Sequence, residues 1–417
     1  MTSSGGWSAA RRIGFRFGIV FGGLVIYPFP IGTIYKTDDL ETLLRKPLDW
    51  GVAWLARSVL GLPDPRGPFT GSGDRTFNYV QLLLIAILAV LGTIAWSILD
   101  RRRRSYPRLA AGAHVTLRYV LASAMLSYGF SKILRMQFSD LMPGRLNERV
   151  GEMSPMGLLW TFMDYSTAYT VFAGLAEAVG GALLLWRRTA TIGALLLVPV
   201  TANVVILNFC YDVPVKLYST ELLIMAIAIA APSLRRLIGA ALGRATAEVP
   251  PRARLSPRRE RARWIAALAM TAMIAGSLYL EFAGRPNRAD HVHELYGTWT
   301  VDTFAADGVE RPPLATDADR WRLCLLTGRY LSVLAMAPVK PQSFPIEVDA
   351  GAGTITPTVD RETRRTETWK YTRPDPDHLV IDAVHGGVLL HVALHREPDP
   401  LLVTRGFHWI NEVPFNR

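Results

Sequence analysis

Seven stretches of about 20 mostly apolar residues recur along the chain, at about 13–32, 78–99, 110–136, 168–186, 189–209, 217–234 and 264–282. A helix of roughly 20 residues crosses the hydrocarbon of a bilayer, and inside lipid only helices and closed barrels satisfy every backbone polar group. The pattern therefore predicts an α-helical multi-pass membrane bundle of about seven spans. Composition agrees, since half of the 417 residues are hydrophobic and only 19% are charged, against about a quarter in soluble proteins. Residues 284–417 hold 15 Lys/Arg against 18 Asp/Glu, so a chain of net charge +11 carries its whole basic excess in the first 283 residues. That excess belongs with the membrane part, which makes the lipid bilayer the expected partner and argues against nucleic acid.

Basic residues close to helix ends resist translocation. Arg101–Arg104, Arg187/Arg188, Arg235/Arg236 and the seven arginines between 244 and 263 all fall on one side of the predicted spans, which is read as cytoplasmic. The opposite loops are neutral or acidic: 33–77 holds six basic and six acidic residues, and 137–167 two against four. The expectation is an inner (plasma) membrane protein with a cytoplasmic N-terminus and its C-terminal part outside. Arg11 and Arg12 ahead of the first apolar run resemble a signal peptide, but Arg16, Pro28 and Pro30 interrupt it, so it reads as a retained helix. Within 40–62, Leu40, Leu43, Leu44, Leu48, Val52, Leu55 and Val59 share helical spacing with Trp50 and Trp54 nearby. Two arrangements fit that segment: a helix lying on the outer membrane surface, or one packed on the bundle.

From about residue 295 the texture changes to short β-rich runs such as YGTWTVDTF, RWRLCLLT, HLVIDAV, VLLHVALH and LLVTRGFHW, separated by ADG, GAG, RPDPD and HGG. Closely spaced strands with turn residues between them predict an antiparallel barrel or sandwich with no long exposed edge. The expected division is 1–107, an N-terminal helix pair with an external amphipathic helix; 108–236, a four-helix core; 237–263, a basic linker; 264–283, the seventh span; and 284–417, an external β-barrel-like domain.

Ionisable residues within the spans need partners or a wet cavity. Glu177 and Arg118 each lie about ten residues into adjacent spans, about 15 Å deep, and are expected to face each other. His114, Arg118, Leu121, Met125, Tyr128 and Lys132 share one face of their helix, and Thr201, Asn208 and Asp212 one face of another, with Asn203 offset. Lys132, Gln137, Glu152, Tyr211, Asp212, Lys216 and Glu221 gather at the outer ends. Two readings remain open. These residues rim a polar pocket that narrows to the Arg118–Glu177 pair, with Arg118, Lys132, Glu177, Asp212 and Lys216 carrying the chemistry and Tyr128, Gln137, Glu152, Asn203, Asn208, Tyr211 and Glu221 binding substrate; or they join four helices through polar contacts.

The segment RYVLASAMLSYGFSKILRMQF, followed by the GLAE-GG-LLL-RRTATIGALLL hairpin, resembles the DoxX/DoxD-like family of four-helix membrane proteins over about residues 110–236. The resemblance implies a four-helix core and a redox association with a quinone or with thiol and sulfur compounds, as an oxidoreductase or its subunit. The added spans and β-domain depart from the small subunits of that family. No CxxC, CxxCH or GxGxxG signature is present, so no cofactor site is evident and a dissolved quinone is the remaining carrier. The alternatives are a lipid or hydrophobic-ligand handling protein, and a scaffold that assembles other envelope proteins.

Cys210 and Cys324 permit one disulfide without requiring it, and Cys210 reads as a catalytic thiol or a small buried residue. Gly297-Thr298-Trp299 opens the first predicted strand and Arg405 falls near the last, an arrangement similar to lipocalin-like barrels, where an arginine stacks on the indole. His291/His293 and His391/His395 pair on strand faces but lack a third ligand, so no metal is expected. The tail RGFHWINEVPFNR either docks on the membrane part or caps the barrel.

Overall fold

The structure, a computed structural model, describes residues 6–68, 70–138, 141–244, 256–283, 293–360, 362–410 and 412–414. His291 and the arginines between 245 and 255 lie outside them. The described residues form two compact units, one of 6–138 with 166–283 and one of 141–165 with 293–414.

The helical unit contains α1 (Ala9–Val25), α2 (Asp38–Ser58), α3 (Thr76–Leu99) and α4 (Pro107–Ile133). Two short helices, α5 (Pro143–Leu146) and α6 (Pro155–Tyr165), belong to the second unit; α7 (Thr167–Leu185), α8 (Ala190–Cys210), α9 (Lys216–Ala241) and α10 (Pro257–Ala283) return to the first. Among the described residues six segments are long and apolar enough to cross a membrane: α3, α4, α7, α8, Lys216–Leu234 of α9 and Glu260–Ala283 of α10.

The first predicted span is the exception. Helix α1 has 17 residues and stops at Val25, ahead of Pro28 and Pro30, where prolines without N–H groups disfavour helix. Arg16 is buried within it, and its guanidinium donates to Tyr106 Oη at 2.8 and 3.0 Å, Ser97 Oγ at 2.9 Å and the Asp100 carbonyl at 2.9 Å. Helix α2 packs on the bundle: Val52, Leu55 and Ala56 are buried together with Val80 and Leu84 of α3, while Trp50 and Trp54 stay exposed. Helices α4 and α7 run antiparallel in backbone contact. A Cβ on Gly129 would lie 2.7 Å from the Gly174 carbonyl oxygen, and the reciprocal distance is also 2.7 Å, so only glycine admits this approach, as at many membrane helix interfaces.

The second unit is a closed antiparallel barrel. Its strands are β1 (Gly297–Ala306), β2 (Val309–Glu310), β3 (Trp321–Leu326), β4 (Tyr330–Ala335), β5 (Gln342–Asp349), β6 (Thr354–Asp360), β7 (Arg365–Thr366), β8 (Trp369–Asp375), β9 (His378–His385) and β10 (Val388–Arg396). Eight of them run in the order β10-β9-β8-β6-β5-β4-β3-β1, and a β10–β1 pairing closes the ring; β2 adds to β1 and β7 to β6. Closure removes the free edge that an open sheet would expose. Inward residues alternate with outward ones along β8 and β9, and the interior is filled by Trp299, Phe304, Trp321, Phe344, Trp369 and Ile381. The connection at 141–165, expected as an outer loop of the four-helix core, packs with this barrel: Asn147 Nδ2 donates to Thr298 Oγ1 at 2.8 Å.

The arginine over the GxW indole is Arg396 rather than Arg405. Its Cζ lies 5.4 Å from the Trp299 ring centroid and its guanidinium donates to the Tyr296 carbonyl. Pro398 and Pro400 end the strand ladder after β10, and the predicted strand LLVTRGFHW is instead a short helix, α11 (Leu401–Thr404), followed by irregular chain. Gly297 sits at φ +141, and a Cβ there would come within 3.3 Å of Arg396 Nε, so both its conformation and the stacked guanidinium favour glycine. In the tail, Phe407, Trp409, Ile410 and Val413 are exposed and none enters the barrel core; Asn411 and residues 415–417 lie outside the described residues.

Candidate functional site

The buried charges of the helical unit are paired differently from the sequence expectation. Glu177 accepts from Lys132 Nζ at 2.7 Å, and both side chains are buried. Arg118 instead donates to the Leu184 carbonyl at 2.7 and 2.9 Å and to the Leu185 carbonyl at 3.0 Å. Depth and direction both separate them: Gly129 lies against Gly174 and Ala178, and Gly181 against Met125, so Glu177 is level with the last turns of α4 whereas Arg118 is level with the end of α7. In a helix each Cα–Cβ bond tilts toward the N-terminus. On antiparallel α4 and α7, Lys132 therefore leans into the bundle while Glu177 leans toward the end where α4 finishes, and the two converge. Arg118 leans the other way and reaches the last carbonyls of α7, which have no partner within their own helix.

The charges expected to form one vestibule have separate duties. Asp212 is exposed, in the left-handed region at φ +50, and pairs with Lys216 at 2.8 Å. Asp74, ahead of α3, accepts from the backbone N–H groups of Lys216 and Leu217 at 2.7 and 3.0 Å, which caps α9 from a remote part of the chain. Glu152 pairs with Arg149 at 3.7 Å and belongs to the barrel unit. Asn203 is exposed on α8 and Tyr211 is half-buried. Gln137 Oε1 and Asn208 Nδ2 are buried with no hydrogen-bond partner among the described residues.

A cavity of about 740 Å³ lies elsewhere in the helical unit, and of the twelve predicted site residues only Tyr128 and Glu221 line it. Helix α4 contributes Ser123, Ser127 and Ser131, spaced by four and so on one helix face. Helix α9 contributes Tyr218 and Glu221, one turn apart, with Leu222 and Met225; α10 contributes Ile274, Ser277 and Glu281. The α1–α2 connection closes the remaining side with Phe29, Ile34 and Lys36, and the Tyr35 N–H donates to Ser277 Oγ at 3.4 Å. The Tyr128 and Tyr218 ring centroids are 6.2 Å apart. Glu41 and Arg45, also in the lining, pair with each other at 2.8 Å. Among the described residues Glu221 makes neither a hydrogen bond nor an ion pair. Sequence reasoning missed the serines although their spacing was a usable signal, because a lone hydroxyl in a span satisfies itself on a carbonyl one turn back, as Ser131 does on Ser127 at 2.8 Å.

The remaining candidates do not line this cavity. His391 sits 2.7 Å from Asp382 and His395 2.7 Å from Asp302, on the exposed side of the barrel. His293 Nε2 lies 2.9 Å from the Thr327 carbonyl. No group of three metal-type ligands occurs among the described residues. Cys210 is exposed and Cys324 buried; both are free thiols, and burial pushes the Cys324 thiol up.

Fold and cavity together define a multi-pass helical membrane protein that carries a closed β-barrel domain. Over 124 residues, 30% of the chain, it is 33% identical to a Bacillus subtilis (strain 168) protein described as "Uncharacterized protein YwoB", covering 79% of that protein. The chain belongs to the YwoB family. No family model matches it, and no solved structure matches it.

Proposed function

We propose that this protein binds an amphipathic hydrophobic molecule within the membrane, in the cavity between α4, α9, α10 and the α1–α2 connection. The observation that carries the reading is a cavity of about 740 Å³, a size suited to a small organic ligand, in which the Glu221 carboxylate has no partner among the described residues. Phe29, Leu222, Met225 and Ile274 suit an apolar body, and the serine and tyrosine hydroxyls suit a polar head. The barrel interior, by contrast, is filled by aromatic and aliphatic side chains. Protein purified into lipid nanodiscs should release a defined small molecule on solvent extraction, and Ser127→Trp, which fills the cavity, should lose it while retaining the fold. Retention of the same molecule by Ser127→Trp would place the ligand elsewhere and defeat the proposal.

A second reading makes the occupant a quinone, as the DoxX/DoxD-like resemblance implies. The observation favouring it is the set of hydroxyls at Ser123, Ser127, Ser277, Tyr128 and Tyr218, the kind of donor that quinone carbonyls accept from. The ultraviolet spectrum of the extracted molecule before and after borohydride reduction separates the two. The arginine distribution further supports a cytoplasmic N-terminus and an external barrel, which labelling of single cysteines from each side of intact cells would test.

A further inference from the structure

We infer that the ligand taken by this cavity is an organic cation, an amine or quaternary ammonium head on an apolar body; the inference deepens the ligand-binding reading and rests on it. Elsewhere in the helical unit buried charge is compensated locally: Lys132 by Glu177, Arg16 by hydroxyls and a carbonyl, Arg118 by carbonyls. Glu221, half-buried on α9, has no such arrangement among the described residues. A desolvated carboxylate is costly unless an opposite charge or several donors meet it.

Three features of the lining favour a cation over other heads. It holds four acids, Asp38, Glu41, Glu221 and Glu281, against two bases, Lys36 and Arg45, and Arg45 is committed to Glu41 at 2.8 Å. Tyr218, one turn before Glu221 on the same face of α9, brings a ring to the cavity wall; Tyr128 from α4, 6.2 Å away and tilted by 45°, already faces Lys132 Nζ at 5.5 Å. Aromatic faces attract cations within about 6 Å, and quaternary ammonium groups are recognised by just such rings with a carboxylate. The serine hydroxyls present lone pairs as well as donors, so they accept from an ammonium N–H. An anionic head would meet the carboxylate as a like charge, and a neutral head would leave it uncompensated.

The test uses the full-length protein in neutral-lipid nanodiscs and three amphiphiles with the same chain: dodecyltrimethylammonium, dodecyl glucoside and dodecyl sulfate. Binding that Ser127→Trp abolishes is counted as cavity binding. The cation should bind at least about tenfold more tightly than the other two. Glu221→Gln, close to isosteric, should bring the cation to the level of the glucoside and leave the glucoside within about twofold. Tyr218→Leu, which keeps the carboxylate and removes a ring, should weaken the cation alone by roughly threefold. Equal cavity binding of all three, unchanged in Glu221→Gln, would overturn the charge preference and leave the ligand-binding reading standing. Absence of any cavity binding sensitive to Ser127→Trp would overturn both.

Discussion

The two units handle polarity in opposite ways. In the helical unit the interior holds ions: the Lys132–Glu177 pair, Arg16 and Arg118 are all buried, and a hydroxyl-lined cavity adds Glu221. In the barrel the interior holds rings: Trp321 and Trp369 lie 5.7 Å apart, Phe344 and Trp369 6.1 Å, and the histidine–carboxylate pairs lie outside. The one buried cation among its described residues, Arg320, spends its guanidinium on the carbonyls of Arg311, Trp321 and Asp302. The difference shows how each unit fills its interior. A helix in lipid exposes apolar residues outward and gains nothing hydrophobic from burying more of them, so its specific contacts are polar ones facing inward. The barrel gains its stability from apolar filling of its interior.

The comparison breaks first at the buried pair. Removing one partner, by Glu177→Leu or Lys132→Met, should cost about 3–5 kcal/mol because an uncompensated charge remains, whereas the double variant should recover most of that loss. Thermal unfolding in detergent and membrane accumulation read it; equal loss in single and double variants would show that the pair is not an isolated unit. In the barrel, Trp369→Ala should also cost about 3–5 kcal/mol, from lost burial plus a cavity, yet leave binding in the helical unit unchanged. Coupled loss of both would erase the distinction between the units.

The smallest expected effect is a pH dependence confined to the barrel. Burial alone would push the Glu367 carboxyl up, but His385 Nδ1 at 3.0 Å, Trp369 Nε1 at 3.1 Å and the Gly386 N–H at 3.4 Å outweigh it and hold the carboxyl below its ordinary value. A lowered folded pKa means that the stabilisation is complete above the ordinary carboxylate value and is lost as pH falls through the folded one. The barrel's unfolding midpoint should therefore fall on acidification between about pH 5 and 3, and Glu367→Gln should flatten that slope. An unchanged slope would remove Glu367 from the account.

Much of the fold was legible in the sequence because it depends on length and period. Six of seven predicted spans coincide with long apolar helices to within a few residues, except that α9 and α10 extend beyond the apolar runs. The strand texture after residue 295 matches the barrel up to Arg396. The site was legible only in its membership. Tyr128 and Glu221 were among the named residues, but the partner of Glu177 was misassigned because counting residues from each helix end fixes neither the register of α4 against α7 nor the direction in which side chains lean. The capping of α9 by Asp74 and the seat of residues 141–165 beside the barrel involve residues 142 and 151 positions apart, and no local pattern reports contacts at such range.

By itself the sequence determined that this chain enters a membrane as helices and ends in an antiparallel β-domain, because hydrocarbon thickness and strand alternation impose periods that single residues cannot hide. Only the tertiary structure decided which charges meet and which is left facing open space. That depends on helix direction, on the glycines that bring α4 against α7, and on the turn after α1 folding across the bundle.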